Sequence, residues 1–226
     1  MGCERFVTNA RACWRRARGS VILAVVPYPI RIEVPGYAYH VTANAVDGCK
    51  LFRDDEDRQG FLVLLARELR WSSWTCIAYS LMTTHYHLLI RIDESTLSRG
   101  LQRLGGTYAR TFNRKYGRRG ALWQRRFHDV LVESESHLLE ANRYIAWNAP
   151  RVSLAERPED YPWCSYGAAI GVVRPDPLVD ENELLGLFGT TTSVARRRLR
   201  AFVEERDPRR RRLRDFSEKS QSWRVR

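Results

Sequence analysis

Two pairs of residues in this chain have types and spacings that suit chemistry. His85 and His87 are separated by one residue, and Tyr144 and Asn148 are four residues apart. Two imidazoles and an amide oxygen can bind a divalent cation and leave coordination positions open, so that the ion can polarise a phosphoryl oxygen. A nearby phenol can act as a nucleophile once it loses its proton, which it ordinarily holds with a pKa of about 10. Together the four residues predict a metal site with a nucleophile beside it.

The elements that must position these side chains can be predicted from local composition. Residues 80–92 are rich in β-branched, aromatic and apolar residues, which is typical of a strand, where residues two apart point to the same face. Tyr144 and Asn148 fall in a helical pattern, for which we predict Ser136 as the N-cap and Pro150 just beyond the end. The i, i+4 spacing places the tyrosine and the asparagine on one helix face.

Each half of this pattern also has an ordinary structural interpretation. The chain has five histidines, so one His-x-His spacing can arise by chance, and two half-buried strand histidines without a metal remain an alternative. Tyr144 alone is also compatible with a tyrosine on an amphipathic helix. The metal site therefore needs support from the rest of the chain.

The charge of the chain favours a polyanionic partner. There are 38 Lys and Arg against 26 Asp and Glu, which gives a net charge of +12 and a pI near 10.0. Much of the excess lies near the ends, with +4 in residues 1–20 and +5 in residues 205–226. One internal stretch, residues 95–128, contains nine basic residues and no acidic residue.

The second half of this internal stretch alternates basic and aromatic residues. Guanidinium groups bind phosphates, and aromatic faces can stack on unpaired bases. A solvated helix face with aromatic residues in the core is the alternative. The candidate nucleic-acid contacts are Arg110, Arg114, Lys115, Arg118, Arg119, Trp123, Arg125 and Arg126, of which Trp123, Arg125 and Arg126 are the leading three.

Length and composition predict one principal domain. The chain has 226 residues, of which 44% are hydrophobic, and its five cysteines show no C-x-x-C spacing, so neither a zinc ribbon nor a disulfide scaffold is expected. The apolar run at 21–26 is far shorter than the ~20 residues that span a bilayer, and we expect no membrane partner. We divide the chain into an N-terminal extension (1–27), a domain that carries the candidate site (28–172), a C-terminal helical extension (173–204) and a basic tail (205–226).

Within the domain, the patterns predict a β-α-β-β-α-β order. This is the ferredoxin-like plan of the α+β class, an antiparallel sheet with two helices on one face, here followed by the tyrosine helix and a C-terminal helical extension. The other face of the sheet is then left for a ligand. The predicted strands cover 37–46, 74–82, 85–92 and 127–133, and the predicted helices cover 54–71, 95–116, 136–148, 180–187 and 193–204.

Six segments form a collinear set of motifs between residues 30 and 171. They are residues 31–42, 51–55, 81–89, 120–127, 143–148 and 160–166. In this order they resemble the single-tyrosine HUH transposases of the IS200-like family, named for a histidine–hydrophobe–histidine motif. The likeness is strongest to the branch associated with repetitive extragenic palindromes (REP).

The resemblance implies a role for each candidate residue. His85 and His87 match the two metal-binding histidines, Asn148 matches the third ligand, and Tyr144 matches the catalytic tyrosine. In such enzymes the tyrosine attacks single-stranded or hairpin DNA and forms a 5′-phosphotyrosine bond, with Mg²⁺ or Mn²⁺ at the scissile phosphate and no nucleotide cofactor. A cytoplasmic, nucleoid-associated protein of a bacterium is then expected, and a homodimer is left open.

Two other classes of function stay open from the sequence. A non-catalytic or domesticated nucleic-acid-binding protein can use the same sheet plan, although the aromatic signature of RNA-binding modules is absent. A metal-dependent phosphodiesterase with water as the nucleophile is the second alternative. It differs from the transposase in its independence of Tyr144.

Overall fold

The computed structural model describes residues 31–205 and two short strands before them. Strands β1 (Arg16–Ala17) and β2 (Ser20–Val21) pair antiparallel within a unit that spans Met1–Ile32. The remainder of the predicted N-terminal extension (1–27) and of the predicted basic tail (from 206 onward) lies outside the described residues. The second unit begins at Glu33 and contains the candidate site.

A four-stranded antiparallel sheet forms the centre of the second unit. Its strands are β3 (Ala38–Asn44), β4 (Trp74–Leu81), β5 (His85–Ile92) and β6 (His128–Val132), in the spatial order β4-β5-β3-β6. This order places β5 between the two strands that the first helix connects, which is the ferredoxin-like arrangement. The predicted fold class is confirmed.

Two long helices cover one face of this sheet. Helix α1 (Asp55–Trp71) begins after Asp54, whose carboxylate accepts a hydrogen bond from the N–H of Asp57 at 2.9 Å, and helix α2 comprises Leu97–Lys115. Strand residues that face these helices alternate with residues that face away, as a pleated strand requires. The buried side chains of this layer include Tyr39, Val41, Leu88, Ile90, Phe61, Leu65, Leu101 and Leu104.

The start of α2 depends on a residue far away in sequence. Its first turn contains no acidic residue, and Thr96 at the N-cap makes no side-chain capping bond. The carboxylate of Glu33 accepts hydrogen bonds from the backbone N–H groups of Leu97 (2.8 Å) and Ser98 (2.7 Å) instead. An anion at a helix N-terminus satisfies unpaired donors and complements the helix dipole.

Shorter helices cover the opposite face of the sheet. These are α3 (Glu135–Ala146), α4 (Asn148–Arg151), a 3₁₀ turn (Pro158–Asp160), α5 (Tyr166–Ala169), α6 (Glu181–Leu185) and α7 (Thr192–Glu204). Residues 173–204, predicted as an extension, share a core with α3, because Leu184, Leu199 and Val203 pack in the same cluster as Leu138 and Ile145. None of the helices in residues 31–205 is long and apolar enough to cross a membrane.

Helix α7 also contacts the end of α3 through polar and aromatic groups. The indole N–H of Trp147 donates to the carbonyl of Val203 at 2.7 Å. The buried guanidinium of Arg143 lies 3.6 Å from the ring centroid of Phe202 and forms an ion pair with Glu140. The helix that carries Tyr144 is therefore fixed to the last described helix.

The predicted ends of the tyrosine helix are wrong. Ser134, with an extended backbone (φ −153°, ψ 162°), is the N-cap in place of Ser136, and its hydroxyl accepts from the N–H of His137. Pro150 does not lie beyond a helix but inside α4. Proline is tolerated there because the N–H groups of a first helical turn have no partner within the helix.

A pair of glycine substitutions tests the packing of α2 on the sheet. A Cβ on Gly100 would lie 2.3 Å from the ring of Trp74, which is buried and donates its indole N–H to Thr96 at 2.9 Å, so Gly100→Ala should lower the free energy of unfolding by about 1–3 kcal/mol. A Cβ on Gly60 in α1 meets no atom within 4 Å, so Gly60→Ala should raise it by about 0.5–1 kcal/mol. Urea unfolding followed by circular dichroism measures both; equal effects would contradict this packing.

Candidate active site

Three histidines meet on the sheet face that α3 covers. His85 and His87 project from the same side of β5, with ring centroids 4.9 Å apart and nearly perpendicular planes. His40 lies on the neighbouring strand β3, and its Nε2 is 3.0 Å from Nδ1 of His87. In the β3–β5 register His87 is opposite Thr42, so His40 and His87 are diagonal neighbours on one face.

Helix α3 brings Tyr144 to these histidines. The centroid of its ring is 5.4 Å from that of His87 and 5.6 Å from that of His40, with edge-to-face geometry in both pairs. Asn148 follows one turn later, as the first residue of α4, and its amide nitrogen donates to the carbonyl of Tyr144 at 3.0 Å. The structure thus brings Tyr144 to His87 and His85, with Asn148 one helical turn from Tyr144.

Burial controls the protonation of this cluster. Desolvation lowers the pKa of His87 well below its usual value and also lowers the pKa of His85. The pKa of His40 is lowered to about 3, mainly by desolvation and further by the neighbouring His128 and His137. The imidazoles are therefore neutral near pH 7, which is the form that binds metals.

The tyrosine experiences two opposing influences. Burial raises the pKa of Tyr144, and the positive charge of Arg151 opposes this shift. The guanidinium carbon of Arg151 lies 4.9 Å from the centroid of the Tyr144 ring. A cation in this position stabilises a phenolate relative to a phenol.

The donor atoms of this cluster, imidazole nitrogens and an amide oxygen, are of the types that bind a divalent cation. His87 Nε2 is buried and has no hydrogen-bond partner among the described residues, which is unusual for a polar atom without a ligand. Asn148 uses its amide nitrogen for the bond to Tyr144, so its oxygen is the atom that can bind a metal. In residues 31–205 no group of three or more His, Cys, Asp or Glu has metal-binding geometry, so the candidate set needs the amide of Asn148.

Comparison with known proteins gives a family for the chain. Residues 33–148, just over half of the chain, match the family model described as transposase IS200-like. The chain belongs to the IS200-like transposase family. The matched region starts before β3 and ends at Asn148, so it contains every residue of the cluster except Arg151.

A solved structure has a similar fold. It is described as the structure of the REP-associated tyrosine transposase bound to a REP hairpin, and it covers 69% of this chain and 90% of that chain with a TM-score of 0.54 and 15% identity. No curated protein matches the chain. The fold of this IS200-like transposase is thus shared with a tyrosine transposase, whereas the identity is too low to transfer residue roles.

The predicted DNA contacts of this transposase fall into two groups in the structure. Five of them have exposed side chains: Arg110, which also donates to the hydroxyl of Thr107 at 3.0 Å, and Arg114, Arg119, Arg125 and Arg126. The other three, Lys115, Trp123 and Arg118, form the engaged group and have contacts within the protein that account for the side chain's charge or ring. Lys115 forms ion pairs with Asp54 (2.8 Å), Asp57 (3.0 Å) and Glu56 (3.1 Å), so its charge is balanced at the start of α1.

Trp123 and Arg118 belong to the engaged group as well. The indole N–H of Trp123 donates to the carbonyl of Gly105 at 2.9 Å, and its half-buried ring packs edge-on against Tyr86 at 5.9 Å. Arg118 donates to the side-chain oxygen of Asn113 at 2.8 Å. The ring of Trp123 therefore contributes to the core, which is the alternative that the sequence left open for the aromatic residues.

Sequence reasoning did not single out two residues of the cluster. His40 lies 45 residues before His85, and only the strand order of the ferredoxin-like plan, which makes β3 and β5 neighbours, could have placed it beside His87. Arg151 follows Pro150, where the tyrosine helix was predicted to have ended. Because proline is tolerated in a first helical turn, the sequence is also compatible with a helix that continues through Pro150 to Arg151.

The exposed and engaged groups predict different salt effects on DNA binding. Replacing Arg125 and Arg126 together by Ala should weaken binding to single-stranded DNA and flatten the slope of log K against log salt by about 1.4, because each lost phosphate contact removes about 0.7. Lys115→Ala should leave the slope unchanged, since its charge already faces three carboxylates. Fluorescence anisotropy titrations at several salt concentrations measure both, and an unchanged slope in the double variant would rule out these two arginines as phosphate contacts.

Proposed function

We propose that this IS200-like transposase cleaves and rejoins single-stranded or hairpin DNA through a covalent bond between Tyr144 and a 5′ phosphate. The observation that carries the proposal is the packing of the Tyr144 ring against His87, 5.4 Å between centroids, with Asn148 one turn away. A nucleophile and a candidate metal site within one cluster suit phosphoryl transfer. The similar fold of a transposase bound to a REP hairpin supports DNA as the substrate.

The proposed reaction is an exchange of phosphodiester bonds. The Tyr144 oxygen attacks the scissile phosphorus, a Tyr–O–P bond forms, and the bond from phosphorus to the 3′ oxygen breaks. The phenolic proton is lost to solvent or to a base, and the 3′ oxygen leaves as a hydroxyl after it gains a proton. A second 3′-hydroxyl can then reverse the step on another strand. Bond number is conserved, so no nucleotide cofactor is needed.

Each residue of the cluster would have its own role in the reaction. His85, His87 and the Asn148 oxygen would hold Mg²⁺ or Mn²⁺, which when bound neutralises charge on the scissile phosphate. Arg151 stabilises the phenolate form of Tyr144 against the effect of burial, which raises the pKa of this tyrosine. The edge-to-face contacts with His40 and His87 orient the ring of the nucleophile.

One chain contains all the residues of the proposed site. Tyr144 contacts the histidines of the same chain, because α3 packs on the chain's own sheet. The proposed cleavage step therefore needs no side chain from a second copy to complete this cluster. The homodimer remains a prediction, and this site does not require it.

The placement of Tyr144 also distinguishes the proposed mechanism from the two alternative functions. A phosphodiesterase that uses water needs no phenol beside the metal ligands, and a binding protein needs neither the phenol nor a buried imidazole nitrogen without a partner. Both features are present in one cluster, and therefore the transesterification mechanism accounts for more of the structure than either alternative.

A covalent-capture experiment tests the proposal. Labelled single-stranded DNA that contains the hairpin from the flanks of the gene is incubated with the protein and Mn²⁺, and denaturing gels are examined for a protein–DNA adduct. The wild type should form the adduct, chelator should prevent it, and Tyr144→Phe should abolish it because no phenolic oxygen remains.

Tyr166→Phe provides a matched control for the loss of a buried phenolic hydroxyl. The Tyr166 hydroxyl is buried without a hydrogen-bond partner among the described residues, so its removal should leave adduct formation intact. Cleavage that persists in Tyr144→Phe would instead identify water as the nucleophile. Binding of the true flank without any adduct would identify a non-catalytic DNA-binding protein.

A further inference from the structure

We infer that His40 is a positioning residue. Its Nε2 accepts a hydrogen bond from the Nδ1–H of His87, which leaves Nε2 of His87 as the nitrogen that binds the metal ion. The inference rests on the proposed function, because it assigns a role relative to the proposed metal site. It adds a residue from β3 to a site otherwise built from β5, α3 and α4. His40 itself would not bind the metal.

The contact between the two rings is direct and buried. Nε2 of His40 is 3.0 Å from Nδ1 of His87, the ring centroids are 5.2 Å apart, and the planes differ by 28°. Both side chains are almost fully buried, at 5% and 4% exposure, so water cannot readily replace either partner. The opposite nitrogen of His87, Nε2, is the one without a hydrogen-bond partner among the described residues.

The chemistry of a neutral imidazole then fixes the direction of this hydrogen bond. A neutral ring carries one proton, and a nitrogen that binds a metal cannot hold it. If His87 binds the ion through Nε2, its proton lies on Nδ1 and is donated to His40 Nε2. His40 then carries its own proton on Nδ1. Metal-binding histidines commonly donate a hydrogen bond from their second ring nitrogen to a carboxylate or a carbonyl. Here the acceptor is the imidazole of His40.

The same ring also contacts the nucleophile. The centroid of His40 lies 5.6 Å from that of Tyr144, so His40, His87 and Tyr144 form a triangle with nearly equal sides. A change at His40 that only disturbed packing would alter Tyr144 and His87 alike. A change that removed only the acceptor nitrogen would alter the metal affinity through His87.

Two variants separate the acceptor from the ring. His40→Phe keeps an aromatic ring but has no acceptor, and it should weaken Mn²⁺ binding by about 10- to 100-fold. His40→Gln offers a side-chain oxygen as an acceptor, and it should bind Mn²⁺ nearly as well as wild type. The signal of free Mn²⁺ in electron paramagnetic resonance gives these affinities without DNA or turnover.

The tautomer can be observed in the wild-type protein as well. Long-range ¹H–¹⁵N correlation spectra of metal-free protein labelled at histidine should show His87 protonated at Nδ1. In His40→Phe this preference should weaken, since the acceptor is gone. Tyr161→Phe is the control, because it removes another buried hydrogen bond, from Tyr161 to the carbonyl of Leu81 at 2.7 Å, and should change neither readout.

The outcomes separate this inference from the proposed function. Wild-type His87 protonated at Nε2, or His40→Phe with unchanged Mn²⁺ affinity, would overturn the role of His40 and leave the metal site in place. Equal weakening in His40→Phe and His40→Gln would also overturn the acceptor role. Wild-type protein that binds no Mn²⁺, or His87→Ala that binds it normally, would overturn the proposed metal site and this inference together.

Discussion

The packing of α3 against the sheet is the contact on which the candidate site depends. Strand β5 carries His85 and His87 on one face and apolar residues such as Leu88 on the other, so the histidines are presented only to the side away from α1 and α2. Helix α3 covers that side through Leu138, Ile145 and the surrounding core. Without this contact Tyr144 on α3 would not reach the histidines on the sheet.

Strong local patterns in the sequence allowed much of the fold to be predicted. The alternation around His85 and His87 predicted β5, and the acids after Asp54 predicted the start of α1, because both signals depend on neighbouring residues. The start of α3 was misplaced by two residues because Ser134 and Ser136 are both plausible caps, and only backbone geometry distinguishes them. The cap of α2 by Glu33 could not be predicted, since it depends on a long-range contact.

The same limit applies to the site. The pairs of His85 with His87 and of Tyr144 with Asn148 each lie within one local pattern, and the family resemblance joined the two. His40 and Trp123 were different, because their surroundings depend on which strands and loops become neighbours. A tryptophan among arginines looks like a base-stacking residue in sequence, whereas in the structure its indole N–H is bound to the carbonyl of Gly105.

The contact between α7 and α3 shows that the folding unit extends beyond the region that matches the family model. The family match ends at Asn148, while the groups that fix the end of the nucleophile helix, the Val203 carbonyl and the Phe202 ring, lie more than fifty residues later. A chain cut at the family boundary would expose the apolar side of α3 and leave the buried guanidinium of Arg143 without its aromatic partner. Among the described residues, a fragment that holds Tyr144 in place must therefore extend through α7, and sequence changes in α7 can alter the position of the nucleophile without any change in the motifs that define the family.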